Sequence, residues 1–132
     1  MKPLTIGKVS TQTGCNIETI RFYEREGILP KPQRTSGGHR IYNRTQIERI
    51  VFIRRCRELG FSMDEIRQLL SVVDQNNISC ERVKEIAQHH LEDIALRIED
   101  LRKMEYTLSE LARQCSGMDV PDCPIIDALQ KP

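Results

Sequence analysis

The chain has 132 residues, enough for one compact domain or for a small head with an extended appendage. Charged residues make up 30% and hydrophobic ones 39%, and no apolar run approaches the roughly 20 residues of a membrane span, which excludes a helical membrane protein. The net charge of +1 conceals a division: residues 1–70 hold thirteen Lys and Arg against seven Asp and Glu, residues 71–132 seven against twelve, so a polyanion is the expected partner of the basic first half alone.

Thr5 caps a predicted helix running through Thr13 and ended by Gly14. Asn16 caps a second, Ile17 to Glu26, with Glu18 in its first turn and Gly27 as the stop. Two short helices separated by Gly14-Cys15-Asn16 predict a helix-turn-helix. Pro30-Lys31-Pro32 marks a connection, because its middle cannot be helical. Gly37-Gly38, between Arg34 and Tyr42, predicts a tight hairpin with Arg40 and Tyr42 on one side of the returning strand, which makes a wing. Thr45-Gln46-Ile47-Glu48 and Ser62-Met63-Asp64-Glu65 both fit the capping-box pattern, so further helices are expected from each, the first to Gly60 and the second from Met63 to about Val73. Asp74-Gln75-Asn76-Asn77 reads as a polar hinge.

From Glu81 to Gln114 there is neither Gly nor Pro. Ile94, Leu101, Leu108 and Cys115 recur by sevens, with Met104 and Leu111 between them, which predicts a coiled-coil seam. Ala87, His90 and Arg97 weaken it toward its N-terminus, and the same register continued backward reaches Cys80. Ser116 to Asp122 is turn-rich, and Pro124 to Leu129 is expected as a short amphipathic helix with Pro at its first position. The expected organisation is a basic winged helix-turn-helix head over 1–70, a hinge over 71–79, a dimerisation helix over 80–114, and a cysteine-bearing loop with a short helix over 115–132.

The opening Met1-Lys2-Pro3-Leu4-Thr5-Ile6 lacks the apolar core of a signal peptide, so the expected compartment is the cytoplasm, where thiols stay reduced. Five cysteines, an odd number, also fit poorly with a disulfide framework. At ~1.5 Å rise per residue, Cys80 and Cys115 of one chain stand about 50 Å apart and cannot share a ligand. If two copies of the helix pair antiparallel, Cys80 of one falls beside Cys115 and Cys123 of the other, and a soft metal ion is the natural occupant. Cys15 and Cys56 have no partner thiol and read as packing residues. His89 and His90 lie about 14 Å along the helix from Cys80, too far to share its ion.

A helix in the major groove needs short polar or basic residues near its N-terminus and cations for the phosphates. Thr19, Arg21 and Tyr23 supply these, with Phe22 turned to the core. Arg40 and Tyr42 on the wing are expected to grip the backbone beyond the groove, and Arg34, Arg54 and Arg57 to extend the contact.

The run Glu18-Thr19-Ile20-Arg21-Phe22-Tyr23-Glu24-Arg25-Glu26-Gly27-Ile28-Leu29, the wing Gly37-Gly38-His39-Arg40-Ile41-Tyr42, and Arg57-Glu58-Leu59-Gly60-Phe61-Ser62 together resemble the MerR family of bacterial transcription regulators. The resemblance covers nearly the whole chain. It implies a mainly α fold, with a winged helix-turn-helix head and a long antiparallel coiled-coil dimerisation helix, and an effector site at the tip of the coil. It further implies a homodimer, on a promoter inverted repeat of double-stranded DNA, that acts on RNA polymerase by distorting the DNA and does not catalyse a reaction.

The loop length and Asp122-Cys123-Pro124-Ile125-Ile126 are similar to the family's copper-type members. Those generally carry Ser where Cys80 stands, because two thiolates suffice for a linear monovalent ion; a cysteine there is similar to the branches for divalent Zn, Cd, Pb and Hg. Zinc usually takes four ligands including N or O donors, and the loop offers no His. Three sulfurs, Cys80, Cys115 and Cys123, favour Hg(II), Cd(II) or Pb(II), with Zn(II) or Cu(I) as alternatives. A thiol redox sensor, closing a Cys115–Cys123 disulfide, is the rival from another class.

Overall fold

The computed structural model describes residues 3–75, 79–115 and 123–132. The chain falls into two units, Met1–Ile86 and Ala87–Pro132.

The first unit begins with strand β1 (Leu4–Thr5), then helices α1 (Ile6–Thr13) and α2 (Ile17–Arg25). The turn between them has chemical causes. Gly14 takes φ 72°, a left-handed conformation that favours glycine, and sends its N–H to the Ser10 carbonyl. Asn16 Oδ1 then accepts the Glu18 N–H at 2.8 Å and starts α2. Thr5 stands at the N-cap of α1, but its side chain makes no capping bond.

Strands β2 (Gln33–Arg34) and β3 (Arg40–Tyr42) form the expected wing, and β1 adds to it. The sheet runs β1-β3-β2, all antiparallel, with Leu4 opposite Tyr42 and Arg34 opposite Arg40. A strand of two residues leaves no periodicity to read, which is why β1 was not expected.

Helix α3 (Arg44–Glu58) starts earlier than its expected capping box. Asn43 is the N-cap: its side chain takes the Gln46 N–H and the Gln46 side chain takes the Asn43 N–H, each at 2.9 Å. Asn-x-x-Gln does the work assigned to Thr45 and Glu48. The second expected box holds, with Ser62 and Glu65 closing the start of α4 (Met63–Val73). Helix α5 (Cys80–Gln114) begins with Cys80 itself, at the expected bounds.

The core of this unit joins all these elements. Val9, Ile20, Ile28, Leu29, Tyr42, Ile50, Ile53, Ile66 and Leu70 are nearly or wholly removed from water, and Val83 and Ile86 of α5 pack against them. Cys15 and Cys56 are buried in it, as their packing role requires.

The second unit is the rest of α5 together with α6 (Pro124–Gln130), which has Pro at its start. Leu91, Leu96, Ile98, Leu101, Met104, Leu108, Ile126 and Leu129 are all exposed in the single chain. His89 is exposed and His90 buried. The expected loop over 116–122, and Asn76-Asn77 of the hinge, lie outside the described residues. Among the described residues no helix is long and apolar enough to cross a membrane.

Candidate functional site

The head gathers its cations around α2 and the wing. A groove of about 320 Å³ between them is lined by Arg21, Arg25, Lys31, Pro32, Arg34 and Arg40, with Glu24 as the one acid. Arg21, Arg34 and Arg40 also line an adjoining groove of about 220 Å³ against β1. Arg21 and Arg25 fall on one face because they are four apart on a helix. Arg34 and Arg40 meet because they are register partners on β2 and β3. Such a concentration of positive charge, concave and open to water, fits a run of phosphates.

The individual side chains differ in how free they are. Arg21 bonds Glu18 through Nη1 at 2.9 Å, whereas its Nε is a buried donor without an acceptor. Arg34 is exposed and steadies the hairpin through the Gly38 carbonyl at 2.8 Å. Thr19 is half-buried on the first turns of α2. Arg25 and Lys31 were not among the expected contacts. Arg25 lies over the Phe22 ring, 6.0 Å from its centroid, and Lys31 was hidden in a run read only as a connection. The signal for both was the cation density of residues 21–40, not any one spacing.

Three expectations need correction. Phe22, expected in the core, is 39% exposed, and Tyr23, expected on the DNA, is 6% exposed. With 100° per residue, only one of two successive aromatics can face the core, and the sequence was read the wrong way round. Tyr42, also expected on the DNA, is wholly buried. Its hydroxyl donates to Glu24 Oε1 at 2.5 Å, and Arg40 Nε meets Glu24 Oε2 at 3.2 Å. Glu24 therefore ties α2 to the wing, with a side chain only 6% exposed. Arg54 and Arg57 are exposed but engaged within the head. Arg54 Nη1 donates to the Thr13 carbonyl at 2.9 Å while Nη2 meets Glu58 at 3.1 Å, and Arg57 Nη1 donates to the Phe61 carbonyl at 3.0 Å. The Arg54 guanidinium lies so close to the turn that a Cβ on Gly14 would stand 3.2 Å from its carbon. It braces the helix-turn-helix.

The five cysteines separate into two kinds. Burial pushes the Cys15 thiol up, with Arg54 partly opposing, and burial alone does the same to Cys56, so neither is suited to act as a thiolate ligand near neutrality. Cys80 is exposed on the first turn of α5. Cys115 and Cys123, half-buried, stand just after α5 and at the N-cap of α6. None of the five is in a disulfide. Three accessible thiols at helix ends are a donor set for soft metal ions.

Comparison with known proteins converges on one family. Residues 4–72 match the family of MerR helix-turn-helix regulatory proteins, and residues 47–111 match the family described as MerR, DNA binding. The mercuric resistance operon regulatory protein of Bacillus cereus is 42% identical over 127 residues, covering 96% of each chain. Among solved structures, a transcription regulator from Ralstonia metallidurans in complex with lead(II) superposes with a TM-score of 0.82 at 36% identity, covering 96% of this chain and 98% of that one. A dual-function MerR regulator from Bacillus megaterium in complex with mercury(II) gives 0.75 at 37% identity, covering 97% and 100%. The chain belongs to the MerR family of helix-turn-helix regulatory proteins and is a DNA-binding transcription regulator, not an enzyme.

Proposed function

We propose that this protein is a cytoplasmic, homodimeric, metal-responsive activator of metal-resistance genes, with Hg(II), Cd(II) or Pb(II) as effector. The observation that carries the reading is the set of three accessible thiols, Cys80, Cys115 and Cys123, in a chain similar over nearly its full length to regulators of mercuric resistance and to a lead(II)-bound regulator. Zn(II) and Cu(I) remain the alternative effectors, and a thiol redox sensor the alternative class.

The division of labour is 1–70 for DNA, 71–79 as hinge, 80–114 for dimerisation, and 115–132 for the metal loop and short helix. The exposed seam of Leu101, Met104 and Leu108 supports pairing, because apolar side chains in line on one helix face gain by leaving water together. In the antiparallel arrangement Cys80 of one subunit meets Cys115 and Cys123 of the other. Each head reads half of an inverted repeat. Arg21, Arg34 and Arg40, joined by Arg25 and Lys31, hold phosphates, and Thr19 faces the groove. Tyr23, Tyr42, Arg54 and Arg57 support them from within the head.

The dimer holds a promoter whose two elements are misplaced for RNA polymerase, and metal binding distorts the DNA so that they realign. Metal shifts this equilibrium only by binding the distorting state more tightly than the silent one. Three thiolates leave a divalent ion's site at −1 and a monovalent ion's at −2, and the smaller charge costs less to bury. Transcription from the cognate promoter, measured across a metal panel, tests this. Wild type is expected to answer Hg(II), Cd(II) or Pb(II), and Cys80→Ser to lose most of that answer. Response to Cu(I) alone, unchanged in Cys80→Ser, would make Cys80 structural and the protein a copper sensor.

A further inference from the structure

One guanidinium in the head makes three bonds to two other parts of the fold. Arg49, on α3, donates through Nε to the Ile28 carbonyl at 2.9 Å and through Nη1 and Nη2 to the two carboxylate oxygens of Asp74 at 2.7 and 3.0 Å. Ile28 lies three residues beyond the end of α2, and its own N–H returns to the Tyr23 carbonyl on α2. Asp74 is the C-cap of α4, and six residues on stands Cys80. The Arg49 side chain is only 18% exposed, so its geometry is fixed by packing as well as by its bonds. A bidentate Arg–carboxylate pair is directional as well as strong, and no Lys reproduces it.

We propose that Arg49 is the coupling residue between the effector site and the DNA-reading helix, passing displacement of the α4 C-terminus to the end of α2 through Asp74 and Ile28. The proposal rests on the reading that a metal ion is held at Cys80. A metal held at Cys80 acts six residues from Asp74, and the bidentate pair carries displacement of that cap to Arg49, whose third bond holds the turn that closes α2. Among the described residues no other hydrogen bond joins the α4 C-terminus to the turn after α2; the neighbouring Arg67 binds Glu26 and Asp64 from the middle of α4. Arg49 touches neither metal nor DNA in this account. It is a positioning residue.

The test uses the full-length dimer on its operator, with Arg49→Lys and Asp74→Asn. Three quantities are measured: affinity of the free dimer for Hg(II), affinity of the metal-free dimer for the operator, and the metal-induced change of a fluorescent base placed at the operator centre, alongside transcription. Both variants are expected to keep the two affinities within about twofold while the induction ratio falls roughly five- to tenfold, a size within the range of allosteric couplings. Asp74 is more than half exposed and Asn is well tolerated at such a cap, so Asp74→Asn is the variant that keeps its fold. Wild-type induction in both variants would overturn the proposal. Loss in Arg49→Lys alone would also overturn it, because Arg49 would then only support Ile28, and a loss that tracks reduced operator affinity would make the pair structural. Failure of wild type itself to answer any thiophilic ion would instead strike at the metal-sensing reading.

Discussion

Replacing Tyr42 by Phe separates a structural tyrosine from a DNA-contacting one. The ring is wholly buried, so the substitution leaves no cavity and removes only the bond to Glu24. That bond donates to a carboxylate, and hydrogen bonds to charged groups contribute about 1.5–3 kcal/mol. Glu24 keeps Arg40, but its other oxygen loses its donor in a site nearly closed to water. For a head of this size the loss corresponds to a fall in unfolding midpoint of roughly 10 °C. Thermal and denaturant unfolding of the DNA-free protein measure it. The alkaline limb gives a second reading. Burial, then the Glu24 hydrogen bond and charge, raise the Tyr42 hydroxyl well above the ordinary tyrosine range, with Arg40 and Arg21 partly opposing. A raised value means the contribution is complete below about pH 10, where the unfolded tyrosine is also protonated, and is lost as pH climbs past it. The difference between wild type and Tyr42→Phe should therefore shrink above about pH 10. Unchanged stability within about 0.5 kcal/mol, together with weaker operator binding, would return Tyr42 to the DNA surface and refute the argument.

Arg21→Ala and Arg40→Ala should each weaken binding to every DNA sequence and make log K about one unit less steep in log salt, with metal affinity unchanged; an unaltered slope removes the residue from the phosphate contacts. Gly14→Ala meets both a left-handed φ and the Arg54 guanidinium, and should destabilise the head by about 1–2 kcal/mol from the backbone alone. Combining it with Arg54→Ala should give less than the sum of the two losses, because the second change relieves the contact that the first creates; strict additivity in the melts would show that the contact carries no strain.

Much of this fold was legible because local chemistry names its own boundaries. Gly14 and Asn16 mark the helix-turn-helix, Gly37-Gly38 the wing, and Ser62 with Glu65 the start of α4. Where two local signals competed, the sequence misled. Thr45-x-x-Glu48 fits the capping pattern as well as Asn43-x-x-Gln46, and only the return of the chain from β3 decides between them. Phe22 and Tyr23 are adjacent aromatics, and which one is buried depends on elements distant in sequence. The site was half legible for the same reason. The cations of α2 and the wing were visible as a charge cluster, but the engagement of Arg54 by Thr13 and of Tyr42 by Glu24 spans 41 and 18 residues. No spacing rule reaches that far. The cysteines sorted more easily, since Cys15 sits in the turn of the helix-turn-helix, Cys56 inside a helical core pattern, and the other three at helix ends.

The account stands on a thiolate site shared between subunits, and a mixed dimer tests it most directly. One subunit carries Cys80→Ser, the other Cys115→Ser and Cys123→Ser, and bound Hg(II) and free thiols are counted on the purified heterodimer. Antiparallel pairing leaves one complete set, Cys80 of the double variant beside Cys115 and Cys123 of the other subunit. The predicted result is one tightly held ion per mixed dimer with three thiols consumed, whereas neither parent homodimer holds an ion on three sulfurs. A mixed dimer that binds no metal would contradict the shared site.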